Sequence, residues 1–176
     1  MRPRWKISSS VRPSTAICIA ATLVLVVATS ASTQPVSDRS DLDLARNMMV
    51  SNPTGALALA EGFLAKTPSG PANRPSALEA TWLKAQALSR LGRNGEALSI
   101  VNPAIDEASQ DPKETRILAE LTFTRASINR LLGRLTGAAK DTQESIRLFQ
   151  ETSDRNGQFK SFILIASIHA NAGDFS

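Results

Sequence analysis

The chain has 176 residues and a formal net charge of +4, a length that suits one domain once any targeting segment is removed. Four basic side chains precede the first acidic residue and account for the whole charge excess: Arg2, Arg4, Lys6 and Arg12. The remainder has 16 basic and 16 acidic residues and no basic run. It therefore lacks the electrostatic footprint that binds a phosphate backbone, and we expect no nucleic acid among its partners.

The composition favours packed helices over a sheet. Apolar residues make up 42% of the chain, with many Ala and Leu, whereas aromatic residues make up only 5%. The single cysteine, Cys18, lies in an apolar run near the start. Neither a disulfide framework nor a thiolate metal site can therefore form within this chain.

The first 31 residues have the three-part pattern of a secretory signal. A basic start is followed by 13 uncharged, largely apolar residues at 16–28 and by small residues that allow cleavage after Ala31. The alternative is an uncleaved anchor, but a membrane span needs about 20 apolar residues. We expect export to the periplasm, or to the extracytoplasmic face of the inner membrane, and a polar linker at 32–40.

Seven helices are predicted downstream from apolar residues that recur at spacings of three and four. Ser76 to Glu79, Asp111 to Glu114 and Asn52-Pro53 have the pattern of helix starts. Pro103 is expected to kink or divide the fourth helix, because it removes a backbone donor. The segment 66–76 is expected to be the longest loop. The predicted helices span 41–50, 54–66, 76–91, 95–109, 113–132, 136–152 and 156–172.

The chain also contains an internal repeat of about 41 residues. The small residues Ala56, Ala97 and Ala138 are 41 positions apart, and the glycines Gly92, Gly133 and Gly173 are 41 and 40 positions apart. A fixed period of this size is typical of a solenoid. Each glycine suits the left-handed residue that ends a helix, and each alanine lets a second helix approach closely. We therefore predict an all-α fold of helix-turn-helix repeats over residues 41–176.

The repeated residues resemble the tetratricopeptide repeat. The resemblance is carried by Ala85, Leu91, Gly92, Ala97 and Leu98, by Ala126, Leu132, Gly133 and Ala138, and by Ala166, Ala172 and Gly173. Two features depart from that family: the usual unit has 34 residues, and Lys84 and Arg125 stand where Leu is usual. HEAT-type repeats, with about 40 residues, are the alternative.

A narrower resemblance involves residues 154–175. They are similar to exported tetratricopeptide sensor regions of bacterial membrane-tethered diguanylate cyclases, in which a transmembrane helix and a GGDEF domain follow. Neither follows here, so a fragment of a longer protein is expected. The last helix would then expose Phe162, Ile163, Ile165 and Ala166, and this end could also mediate self-association.

No catalytic constellation is recognisable, and we expect a non-catalytic chain without cofactor or metal. His169 is the only histidine, so it has neither a thiol to activate nor a second histidine with which to bind a metal. We expect it to pack in the core or line the groove. The carboxylates Asp106, Glu107, Asp111 and Glu114 are expected at a helix end and cap.

The resemblance implies that the first helix of each pair lines a concave groove that binds a peptide or protein. Arg90 and Arg130 could bind a carboxylate through paired donors, or both could simply be solvated. Trp82 and Phe123 could stack in the core or form an exposed platform for a ligand. The candidate groove residues are Glu79, Trp82, Gln86, Ser89, Arg90, Glu120, Phe123, Ser127, Arg130, Ser167 and Asn171.

Three functions are compatible with these patterns. The first is an exported scaffold that binds a peptide or protein, as the sensory part of a longer signalling protein. The second is a free-standing assembly factor of the cell envelope. The third is the front of an enzyme, such as a diguanylate cyclase, whose catalytic domain lies beyond residue 176. Contact with a membrane is expected only through an uncleaved signal or a missing downstream segment.

Overall fold

A computed structural model of the chain describes residues 36–173. The predicted signal segment and the start of the predicted linker lie outside this range. Within it the fold is all-α, with no strand. The elements are α1 (Val36–Met48), α2 (Pro53–Lys66), α3 (Arg74–Arg90), α4 (Asn94–Ala108), a short 3-10 helix (Pro112–Glu114), α5 (Thr115–Leu131), α6 (Leu135–Glu151) and α7 (Arg155–Ala172).

All seven predicted helices are confirmed, and most of their ends agree within two residues. The first helix is the main exception, because α1 begins at Val36. Residues 36–40, which were expected to belong to a polar linker, are therefore part of a helix. The predicted loop at 66–76 is also shorter, since α2 ends at Lys66 and α3 begins at Arg74.

Two kinds of contact hold the helices together. Each helix contacts the next one along the chain, and the odd-numbered helices also contact one another, α1 with α3, α3 with α5 and α5 with α7. Ala56, Ala97 and Ala138 are fully buried at these contacts. Because alanine has the smallest side chain that still favours a helix, it lets neighbouring backbones approach closely.

The glycines end the helices as predicted. Gly92 and Gly133 have φ angles of 77° and 72°, in the left-handed region that L side chains rarely adopt. The residue after each glycine donates its N–H back into the preceding helix, Arg93 to Leu88 O and Arg134 to Asn129 O, both at 2.9 Å. This is the bonding of a Schellman motif.

One of the three predicted helix starts is confirmed, and a second is confirmed in part, because Asp111 caps the short 3-10 helix that precedes α5. The Asn52 side chain accepts a hydrogen bond from the Gly55 N–H, and the Asp111 side chain accepts one from the Lys113 N–H. The prediction at Ser76 is wrong, because α3 begins two residues earlier at Arg74. Pro75 suits the first turn of a helix, where its missing N–H costs nothing.

Pro103 does not divide α4, which runs without a break from Asn94 to Ala108. Its side chain is exposed, as is Ser99 one turn earlier. The carbonyl group of Ser99 loses its helical donor to the proline, but on this side of the helix water can replace it. No helix between residues 36 and 173 is long and apolar enough to cross a membrane.

Candidate binding groove

A groove of about 550 Å³ lies along α3 and α5, and one residue of α7 closes it. It contains seven of the eleven residues predicted for a ligand site. These are Trp82, Gln86, Ser89 and Arg90 from α3, and Phe123, Ser127 and Arg130 from α5. The period of 41 residues explains this grouping, because it gives α3 and α5 the same register where they pack together.

Trp82 combines the two roles that the sequence left open. Its side chain is 8% exposed and belongs to the core, yet it also lines the groove. The indole Nε1–H donates to Thr124 Oγ1 at 3.1 Å, and that hydroxyl donates to the carbonyl oxygen of Glu120 at 2.8 Å. The ring is therefore a hydrogen-bonded wall of the groove rather than an exposed platform. Phe123 is half-buried beside it.

The groove has cationic side chains and no carboxylate among its lining residues. Arg90, Arg130 and Lys160 supply the charge. Lys160 Nζ is already paired with the Glu120 carboxylate, at 2.9 and 3.1 Å from its two oxygens. It also lies 5.2 Å from the centre of the Phe123 ring, within the range of a cation–π contact. Neither arginine has an ion-pair partner among residues 36–173.

Glu79 and Glu120 do not line this groove. They lie in a neighbouring cavity of about 240 Å³ that also contains Trp82, Arg39 and Arg116. Glu79 forms an ion pair with Arg46, and Glu120 forms the pair with Lys160. Glu79 and Glu120 thus lie outside the groove, and each forms an ion pair with a cation of another helix.

Ser167 and Asn171, on α7, do not line either cavity. Three residues that the sequence reasoning missed do line the groove: Thr124, Leu131 and Lys160. The repeat carried a signal for Lys160. Glu120 follows Glu79 by 41 residues, and Lys160 follows Glu120 by 40 residues. A change from acid to base at that equivalent position concealed it.

The remaining titratable residues of the described part of the chain lie apart from the groove or in ion pairs and caps. His169 is exposed and does not line the groove, so the prediction of a core or groove position is wrong. Glu107 forms an ion pair with Arg74 at 3.3 Å, Asp111 caps the short helix, and Glu114 is buried at its end. Between residues 36 and 173, no group of three His, Cys, Asp or Glu side chains could hold a metal ion.

Comparisons with protein-family models, with curated proteins and with solved structures found no match to this chain.

Proposed function

We propose that this chain is an exported tetratricopeptide-like scaffold whose groove binds a peptide or a protein. The observation that carries the proposal is the groove along α3 and α5, which contains seven of the predicted ligand-binding residues. The repeat of 41 residues and the contacts between successive odd-numbered helices support a solenoid architecture.

The lining suits a peptide better than a compact metabolite. A fixed aromatic wall at Trp82 and Phe123 provides apolar contact, while Gln86, Ser89 and Ser127 provide hydrogen-bonding groups along the two helices. An extended chain presents both kinds of group in alternation. The resemblance of residues 154–175 to exported sensor regions supports a sensory role within a longer signalling protein.

The proposal is tested by selecting peptides from a random phage-displayed library against the full chain. Selected peptides are then measured by calorimetry against Ser127→Trp, which fills the groove, and against Gln143→Trp. Gln143 is exposed on α6 and does not line the groove. We expect Ser127→Trp to weaken binding at least tenfold and the control to leave it unchanged. A selection without binders, or equal binding to both variants, contradicts the proposal.

A further inference from the structure

Arg130 differs from the other half-buried arginines of the described chain. Arg46 pairs with a carboxylate of α3, Arg74 with one of α4, and Arg125 with Asp141 of α6 at 2.7 Å. Arg130 is buried to a similar degree but has no ion-pair partner among the described residues. Its Nε atom is buried and has no hydrogen-bond acceptor. The Nε atom of Arg74 also lacks one, but that side chain lies 3.3 Å from the Glu107 carboxylate.

An unsatisfied donor of this kind is costly. A buried polar group that lacks a partner loses its hydration without compensation, and a charged group loses more than a neutral one. Most buried polar atoms in folded proteins do have partners. Of the two exceptions, Arg130 is the one that lines the groove, where a bound molecule could supply the missing acceptor.

The neighbouring residues favour an anion as that molecule. Arg90, across the groove on α3, is also without an ion-pair partner in the part of the chain that the structure describes. Because no Asp or Glu lines the groove, both guanidinium groups leave their positive charge uncompensated there. Such a concave cationic surface attracts negative ligands and repels positive ones.

Apolar side chains surround these cations. Trp82 and Phe123 form the wall, and Leu131, which is 53% exposed, lies one residue after Arg130 on the same rim. Fully solvated cations alone would suit any anion. Cations beside apolar side chains instead suit a ligand in which an acidic group and an apolar group are adjacent.

We propose that the groove binds an acidic peptide segment, in which an Asp or Glu carboxylate accepts hydrogen bonds from Arg130 and Arg90 and an adjacent apolar residue contacts Trp82 and Leu131. The opposite side of α5 shows the pairing that we expect. There Arg125 donates to both oxygens of the Asp141 carboxylate, at 2.9 and 2.7 Å. The inference rests on the proposed function, since it names the chemical class of the peptide.

The test uses two synthetic arrays of decapeptides probed with the full chain. Every member of the first array has Leu beside two Glu residues in a varied context, and the second array replaces each Glu with Gln. We expect the Glu peptides to bind at least tenfold more tightly than their Gln copies. This preference should shrink when NaCl is raised from about 0.05 M to 0.5 M, because salt screens exposed charges.

Variants of the chain then locate the effect. Arg130→Gln should lower the affinity for the Glu peptides by roughly tenfold to a hundredfold, the range expected for lost hydrogen bonds to a charged group. It should leave the Gln peptides and the circular dichroism spectrum unchanged. Arg130→Lys, which keeps the charge without the paired donors, should lose less. Arg134→Gln is the matched control, because Arg134 is exposed and does not line the groove.

The outcomes separate the two proposals. Blank arrays overturn the acidic ligand, whereas the selection from the random library decides whether the groove binds any peptide. Equal binding of Glu and Gln peptides overturns the acidic ligand and leaves peptide binding intact. An Arg130→Gln variant that keeps the preference for Glu overturns the assignment to this groove. Phosphoserine peptides that bind more than tenfold more tightly than the Glu peptides would replace the carboxylate with a phosphate.

Discussion

Gly157, in the first turn of α7, offers the sharpest test of the helix packing. A Cβ atom at this position would lie 2.5 Å from both Cγ and Cε1 of Phe149 and closer still to Cδ1. The Phe149 ring is fully buried on α6, so it has no free space to enter. Overpacking of a core typically costs about 1–3 kcal/mol. Alanine regains about 1 kcal/mol through its higher helix propensity.

For Gly157→Ala we therefore expect the free energy of unfolding to fall by about 2 kcal/mol. This takes the upper end of the range for overpacking, because the contact is nearly 1 Å too short. In a domain of this size the melting temperature should fall by roughly 4–10 °C. Gly62→Ala is the matched control, since Gly62 lies inside α2 and its added Cβ would meet no atom within 4 Å. It should gain roughly 0.5–1 kcal/mol. Urea unfolding followed by circular dichroism measures both. If the two variants were equally stable, the packing of α6 on α7 described here would be wrong.

Three further predictions concern stability and its dependence on pH. Ala97→Trp should abolish cooperative unfolding, because Ala97 is fully buried between packed helices; an unchanged melting curve would contradict the repeat alignment. Asp141→Asn should cost about 1–3 kcal/mol in urea unfolding, since it removes the charged acceptor of Arg125; a neutral result would show that solvent compensates for this pair. The hydrogen bond from Arg147 lowers the pKa of Glu144. This hydrogen bond should therefore add slightly to the free energy of unfolding at pH 7, and the contribution should be lost progressively as the pH falls below about 4.3. The difference between Glu144→Gln and the parent chain in urea unfolding should accordingly be largest at pH 7 and shrink as the pH is lowered below about 4.3. A difference that does not change with pH would contradict the ion pair.

The helical fold was predictable because local signals agreed with the repeat. Glycines at 92 and 133 end helices in the left-handed conformation, and polar caps at 52 and 111 begin them. Each signal acts within one turn of the backbone, so reading it requires no knowledge of distant contacts. The period then placed α3 and α5 in equivalent positions, which was sufficient to find most of the groove residues.

Other features depended on long-range contacts that the sequence conceals. The partner of Glu120 is Lys160, 40 residues away, and Glu79 pairs with Arg46, 33 residues away. Glu79 and Glu120 were predicted to line the groove but do not. Lys160 was not predicted but does line it. The effect of Pro103 on α4 depends on long-range contacts for a related reason. Its cost depends on whether the carbonyl group that it leaves unpaired faces water, which is a property of tertiary burial.

Because Lys160 comes from α7, a change in the packing of that helix should alter both the stability of the fold and the affinity of the groove. Gly157 lies three residues before Lys160, so the displacement of α7 by Gly157→Ala should also move Lys160 away from Glu120 and Phe123. Glu120 would then be an unpaired carboxylate near the groove, and its charge should repel an acidic peptide. We expect this variant to bind Glu peptides several-fold more weakly than the parent chain at a temperature where both are folded, whereas Gly62→Ala should gain stability without a change in affinity. Calorimetry on the two variants measures this. Equal affinities would show that α3 and α5 form the binding surface without α7.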